Sequence, residues 1–221
     1  MLETIKRDLR NLKSIPFKID RSFYLLLILL PFASFLFGGS MAGVNTLLIL
    51  PCVFFFALLH EYGHCFAAQK YDFHVHEVKL WFLGGQALVS NLEVASPKEE
   101  AVIAFAGPLV NFILAGIATA LFYAGVTHPF MAFVVSINLV LGLFNLIPSF
   151  PMDGGRILRS FLSYVLGDRI KATKISAIVG LAISAFFITV GVLSASFMLI
   201  MIFAWIGMIC YSLISNPDII V

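Results

Sequence analysis

The chain has 221 residues, of which 61% are hydrophobic and 12% charged, and its net charge is +2. Soluble domains carry about 25% charged residues, so this composition, with a mean hydropathy of +1.02, excludes a large soluble domain and points to a polytopic membrane protein. So small a net charge gives no electrostatic footprint for nucleic acid, which leaves the lipid bilayer as the bulk partner.

Residues 1–22 read as a basic cytosolic arm holding six of the 14 Lys and Arg residues. The basic stretch is too long for the n-region of a cleavable signal peptide, and no small-residue cleavage site follows it. Leu2, Ile5, Leu9 and Leu12 recur at helical spacing. They fit an interfacial helix on the cytosolic leaflet, or a short helix packed on the protein itself.

Six apolar segments follow, at about 23–38, 45–69, 99–124, 131–150, 174–193 and 197–214. Each is near the roughly 20 residues that a helical span needs. The expected fold is therefore all-α, with six transmembrane helices in a core over 23–214 and a short cytosolic tail at 215–221. Lys70, Lys79 and Lys98 lie after the second segment, and Arg156, Arg159, Arg169, Lys171 and Lys174 lie between the fourth and fifth. The connections near 39–44, 125–130 and 194–196 carry no Lys or Arg. With six spans, every basic region falls on one side, which the positive-inside rule makes the cytosol. Both termini are then cytosolic. Cys52, Cys65 and Cys210 all fall in apolar segments, so no disulfide is implied and Cys65 reads as a small buried hydrophobe.

His60-Glu61-Tyr62-Gly63-His64 lies inside the second segment. Histidines four apart share one helix face, so His60 and His64 can hold one zinc ion with Glu61 as general base. A carboxylate at bilayer depth is costly unless it is paired or engaged in chemistry. Of the twelve acidic residues, only Glu61 and Asp153 read as lying in or bordering the spans. Asp153 ends Asn145-Leu-Ile-Pro-Ser-Phe-Pro-Met-Asp153, where two prolines break the fourth segment and Gly154 and Gly155 loosen the backbone after it. Irregular backbone at membrane depth survives where it is buried in protein or lines a wet cavity. Two imidazoles, one carboxylate and a water make an open catalytic zinc site, so Asp153 reads as the third ligand. All three ligands then lie in the cytosolic third of the bilayer, with one zinc per chain.

Two amides join this set. Asn111, in Gly107-Pro108-Leu-Val-Asn111, reads as an interhelical hydrogen-bonding group or as a residue shaping the site. Asn145, near the break, can hydrogen-bond substrate backbone or a developing oxyanion. Asn138 reads as packing. Residues 72–93 alternate in places around Gly84-Gly85 and predict a membrane-associated β-hairpin. An exposed edge there could accept a stretched substrate as an added strand, with Gly84 and Gly85 among its contacts. His74 and His76 read as solvated surface residues, and His128 lies on the opposite side of the membrane.

Together, the HEYGH sequence at 60–64, GPLVN at 107–111 and NLIPSFPMDGG at 145–155 resemble the site-2 protease family of intramembrane zinc metalloproteases. The resemblance implies a six-helix zinc endopeptidase that cleaves within or near the transmembrane segment of a single-span membrane protein. It also implies Glu61 as base and Asp153 as third ligand. The chain reads as a minimal form, without an inserted PDZ domain or a CBS domain. The rival reading is a zinc transporter or a zinc-binding membrane protein without protease activity. A transporter needs polar stepping stones across the whole bilayer, whereas here the ionisable residues cluster in its cytosolic third.

Overall fold

A computed structural model describes residues 15–82, 84–90, 92–126 and 128–217. The helical spacing of Leu2, Ile5, Leu9 and Leu12 lies outside the described residues. The chain divides into two compact units. One combines the described residues before Leu92 with Leu109–Leu141, and the other combines Leu92–Pro108 with the described residues from Gly142 onward.

In the first unit, strand β1 (Phe17–Ile19) leads into helix α1 (Arg21–Lys70). Asp20 caps α1, its carboxylate accepting from the Ser22 N–H at 3.0 Å and pairing with Lys79 Nζ at 2.8 Å. The Lys79 ammonium and the Ser22 donors hold the Asp20 carboxyl well below the usual carboxylate range. A depressed carboxyl pKa adds stability above the ordinary value, and that stability is lost only as pH falls through the lowered one.

α1 is two helical arms joined at Gly39, where φ of 82° and ψ of 177° break the helix. A left-handed φ is open to glycine and strained for other residues. The arms run back along each other. Thr46 Oγ1 donates to Ser34 Oγ at 3.0 Å, and the Phe23 and Phe54 rings meet edge to face at 4.6 Å. Leu26, Leu27, Leu50 and Leu80 complete that cluster. The first two apolar segments are thus one helical hairpin.

Strands β2 (Val75–Trp81) and β3 (Gly84–Val89) form the antiparallel hairpin expected at 72–93, in register Val78↔Ala87, Leu80↔Gly85 and Trp81↔Gly84. An irregularity between Val75 and Glu77 shifts the alternation, so Val75, Val78 and Leu80 share the buried face. β1 adds a third strand, parallel to β2, which the sequence reading had placed in the basic arm. The order β1-β2-β3 leaves β3 at an edge.

Helix α2 (Pro97–Tyr123) starts with a capping box: the Glu99 carboxylate accepts from the Ser96 N–H at 2.8 Å, and Ser96 Oγ accepts from the Glu99 N–H at 3.4 Å. Helix α3 (Pro129–Asn145) also begins with proline, whose missing N–H is harmless in a first turn. Within the first unit, Phe56, Ala118 and Val134 form a buried cluster between α1, α2 and α3.

In the second unit, α4 (Asp153–Leu166) and α5 (Arg169–Leu193) are followed by α6 (Phe197–Ser215). Gly167, with φ of 65°, ends α4, and Asp168 caps α5 by accepting from the Lys171 N–H at 3.0 Å. Gly154 and Gly155 act by close approach rather than by loosening the backbone. Both lie in the first turn of α4, where a Cβ on either would run into the backbone of 146–150. Phe150, Met152, Ala177, Phe203, Ile206, Cys210 and Leu213 form the core of this unit. Gly180 lets α5 approach α6, since a Cβ there would lie 2.6 Å from Cys210 Sγ.

Glu100, in the first turn of the span-length helix α2, adds a third acidic residue at the border of a span and is entirely buried. It accepts from Arg159 Nε at 3.0 Å and pairs with Arg169 Nη2 at 3.1 Å. Arg159 also lies over the Phe150 ring, 5.1 Å from its centroid. Removing one partner of a buried pair leaves an uncompensated charge. Glu100→Gln should therefore cost about 3–5 kcal/mol, read as a lower unfolding midpoint in detergent.

Among the described residues, four helices, α1, α2, α5 and α6, are long and apolar enough to cross a membrane, and α3 is a shorter apolar helix. With α1 doubled back at Gly39, the protein is an all-α polytopic membrane protein with six transmembrane helices and a small sheet.

Candidate metal centre

Phe56, His60, Gly63, His64 and Ala67 are buried along the second arm of α1. Their spacing of three and four residues makes one inward-facing stripe. His60 and His64 are 4% and 5% exposed, and their rings meet edge to face with centroids 4.8 Å apart. Their Nε2 atoms lie 3.1 Å apart. Two nitrogens each about 2.05 Å from a tetrahedral zinc would lie about 3.3 Å apart. The observed separation therefore suits a shared ion and the donor set fits zinc. His60, Glu61 and His64 offer ligand atoms all within 4.8 Å of one another.

Glu61 lies one residue round the helix and faces the hairpin. Its Oε2 accepts from the Ala87 N–H of β3 at 3.0 Å. Gly85 lies directly beside it, and a Cβ there would overlap Glu61 Cγ. Gly85 thus belongs to the surroundings of the glutamate. Gly84 has open space where a Cβ would go, and its φ of 141° accounts for the glycine.

Asn111 stands behind His60, with its Oδ1 2.6 Å from His60 Nδ1. Its Nδ2 donates to Asn138 Oδ1 at 2.9 Å, and Asn138 Nδ2 donates to the Val134 carbonyl at 2.9 Å. Both amides are fully buried. Asn138 is the residue that sequence reasoning passed over as packing. The available signal was a second amide in hydrocarbon, which needs partners of its own.

Asp153 and Asn145 belong to the second unit. Asp153 opens α4, is 6% exposed and lies 3.9 Å from Arg156 Nη1. Asn145 is half-buried at the last position of α3.

Residues 48–128 and 120–190 match the profile of peptidase family M50. A zinc metalloprotease of Methanocaldococcus jannaschii is 35% identical over 197 residues, covering 87% of this chain and 56% of the relative. Stage IV sporulation protein FB of Bacillus subtilis is 33% identical over 111 residues, covering 49% of this chain and 38% of the relative. The chain thus spans about half the length, or less, of these curated relatives. The solved structure of a site-2 protease from Methanocaldococcus jannaschii aligns with a TM-score of 0.69 at 30% identity, covering 90% of both chains. With the family profile matched over more than half of its residues, the chain belongs to peptidase family M50, the site-2 protease family.

Proposed function

We propose that the protein is a zinc-dependent endopeptidase that hydrolyses a peptide bond within or near the transmembrane segment of a single-span membrane protein. One observation carries the reading: the paired Nε2 atoms of His60 and His64, 3.1 Å apart on a membrane helix, with a carboxylate beside them. His60 and His64 hold one zinc per chain, and Asp153, a buried carboxylate at the start of α4, is the third ligand. The Methanocaldococcus jannaschii relative, named a zinc metalloprotease, supports the metal.

A bound zinc would polarise the scissile carbonyl and acidify a water. Glu61 takes the proton of the attacking water and returns it to the leaving amine. The Ala87 N–H holds the Glu61 carboxylate in place by a charge-assisted hydrogen bond. The neighbouring β3 edge presents backbone groups to a stretched substrate, which main-chain pairing would hold open for attack. Asn145 supplies a polar contact to the substrate backbone or to the developing oxyanion. The distribution of Lys and Arg supports cytosolic termini and a metal site in the cytosolic third of the bilayer.

Purified protein in lipid vesicles is expected to carry one zinc per chain and to cut a tagged single-span reporter. Zinc uptake into the same vesicles without any cut would overturn this reading in favour of a transporter.

A further inference from the structure

We propose that Asn111 and Asn138 form a tautomer lock: they are positioning residues that keep the proton of the neutral His60 ring on Nδ1, so that Nε2 can coordinate the metal. The inference rests on His60 being a metal ligand, as proposed above. Neutral imidazole carries its proton on either nitrogen, and only the bare one can coordinate. Nothing intrinsic to His60 chooses the tautomer strongly, so its surroundings must.

The choice can be traced from a group with no freedom. The Val134 carbonyl can only accept, so Asn138 must turn its Nδ2 towards it, at 2.9 Å. That leaves Asn138 Oδ1 facing Asn111, which must answer with its own Nδ2, again at 2.9 Å. Asn111 Oδ1 is then fixed against His60 Nδ1 at 2.6 Å, and this oxygen can only receive a proton. Nδ1 therefore carries the hydrogen, and in the neutral ring Nε2, 3.1 Å from His64 Nε2, is the nitrogen without one. Amide orientations are often ambiguous because oxygen and nitrogen look alike. Here a backbone carbonyl at the end of the chain of bonds removes the ambiguity at each step.

Burial gives the lock its strength. Asn111 and Asn138 are fully buried, and His60 and Val134 are 4% and 8% exposed. A flipped amide would set donor against donor or acceptor against acceptor, with little access to water to relieve it. The relay passes from α3 through α2 to α1, so three helices of one unit jointly fix one proton. Partners of this kind behind a metal-binding histidine typically matter about 10–100-fold in metal affinity.

Two measurements test the proposal. Ring-nitrogen NMR shifts of His60 in the metal-free wild type should report the Nδ1–H tautomer. A predominantly Nε2–H ring would overturn the lock without any variant being made. Zinc affinity should then fall about 10–100-fold in Asn138→Leu, with His60 moving towards Nε2–H. Asn111→Asp places only acceptors beside Nδ1 when ionised, so no amide remains to be locked. In that background Asn138 Oδ1 faces a second acceptor, so Asn138→Leu should cause no loss of zinc affinity. An equal loss in both backgrounds would reduce Asn138 to a packing residue and overturn the proposal. A wild type with the Nδ1–H ring that takes up no zinc would support the lock and overturn the metal reading instead.

Discussion

Glu61→Gln should abolish reporter cleavage while leaving zinc bound. The substitution keeps the shape of the side chain and can still accept from the Ala87 N–H, which now lies 3.0 Å from Oε2. What it removes is the basicity needed to take a proton from water. General acid–base groups contribute about 10²–10⁴-fold to rate, so cleavage should fall by at least about a hundredfold. Zinc content of the purified variant, measured beside its cleavage rate, separates the two roles open to Glu61. It lies close enough to His60 and His64 to be counted among the ligands. A variant that loses its zinc would identify Glu61 as a ligand and remove it as the base.

The second large effect is expected at Gly85. Its missing Cβ is the space that Glu61 Cγ occupies. Gly85→Ala should turn the glutamate away from the Ala87 N–H, because a side chain yields more easily than strand backbone. A misplacement of about 1 Å at a reacting group can cost about a hundredfold. The variant should therefore lose cleavage about 10–100-fold, with its zinc content and unfolding midpoint retained. Full activity in Gly85→Ala would show that the hairpin plays no part in placing the base. The comparison with Glu61→Gln is informative, since both variants act on one proton transfer and neither touches a histidine.

Much of the site was legible because its chemistry is local in sequence. His60, Glu61 and His64 fall within five residues of one helix, so helix geometry alone brings the imidazoles together. The hairpin was legible from Gly84-Gly85 flanked by alternating residues. What was hidden depends on tertiary neighbours. β1 is three residues long and sits in a basic arm, where charge masks the pattern. α4 buries Arg159, Ser160 and Ser163 and exposes Phe161, Tyr164 and Val165, the reverse of a soluble helix. A hydropathy reading sees that stretch as a polar connection. Glu100 stands at the edge of an apolar segment, and only the fold supplies Arg159 and Arg169 as its partners. Asn138 acquires meaning only when α2 brings Asn111 to it.

The most direct test of the account is the position of the cut. Purified protein and a tagged single-span reporter would be reconstituted in vesicles, and the product masses determined with and without a zinc chelator. The account predicts two products whose new ends map within or beside the transmembrane segment, formed only while zinc is bound. Products that map to a soluble loop, or a rate unchanged by loss of zinc, would contradict it.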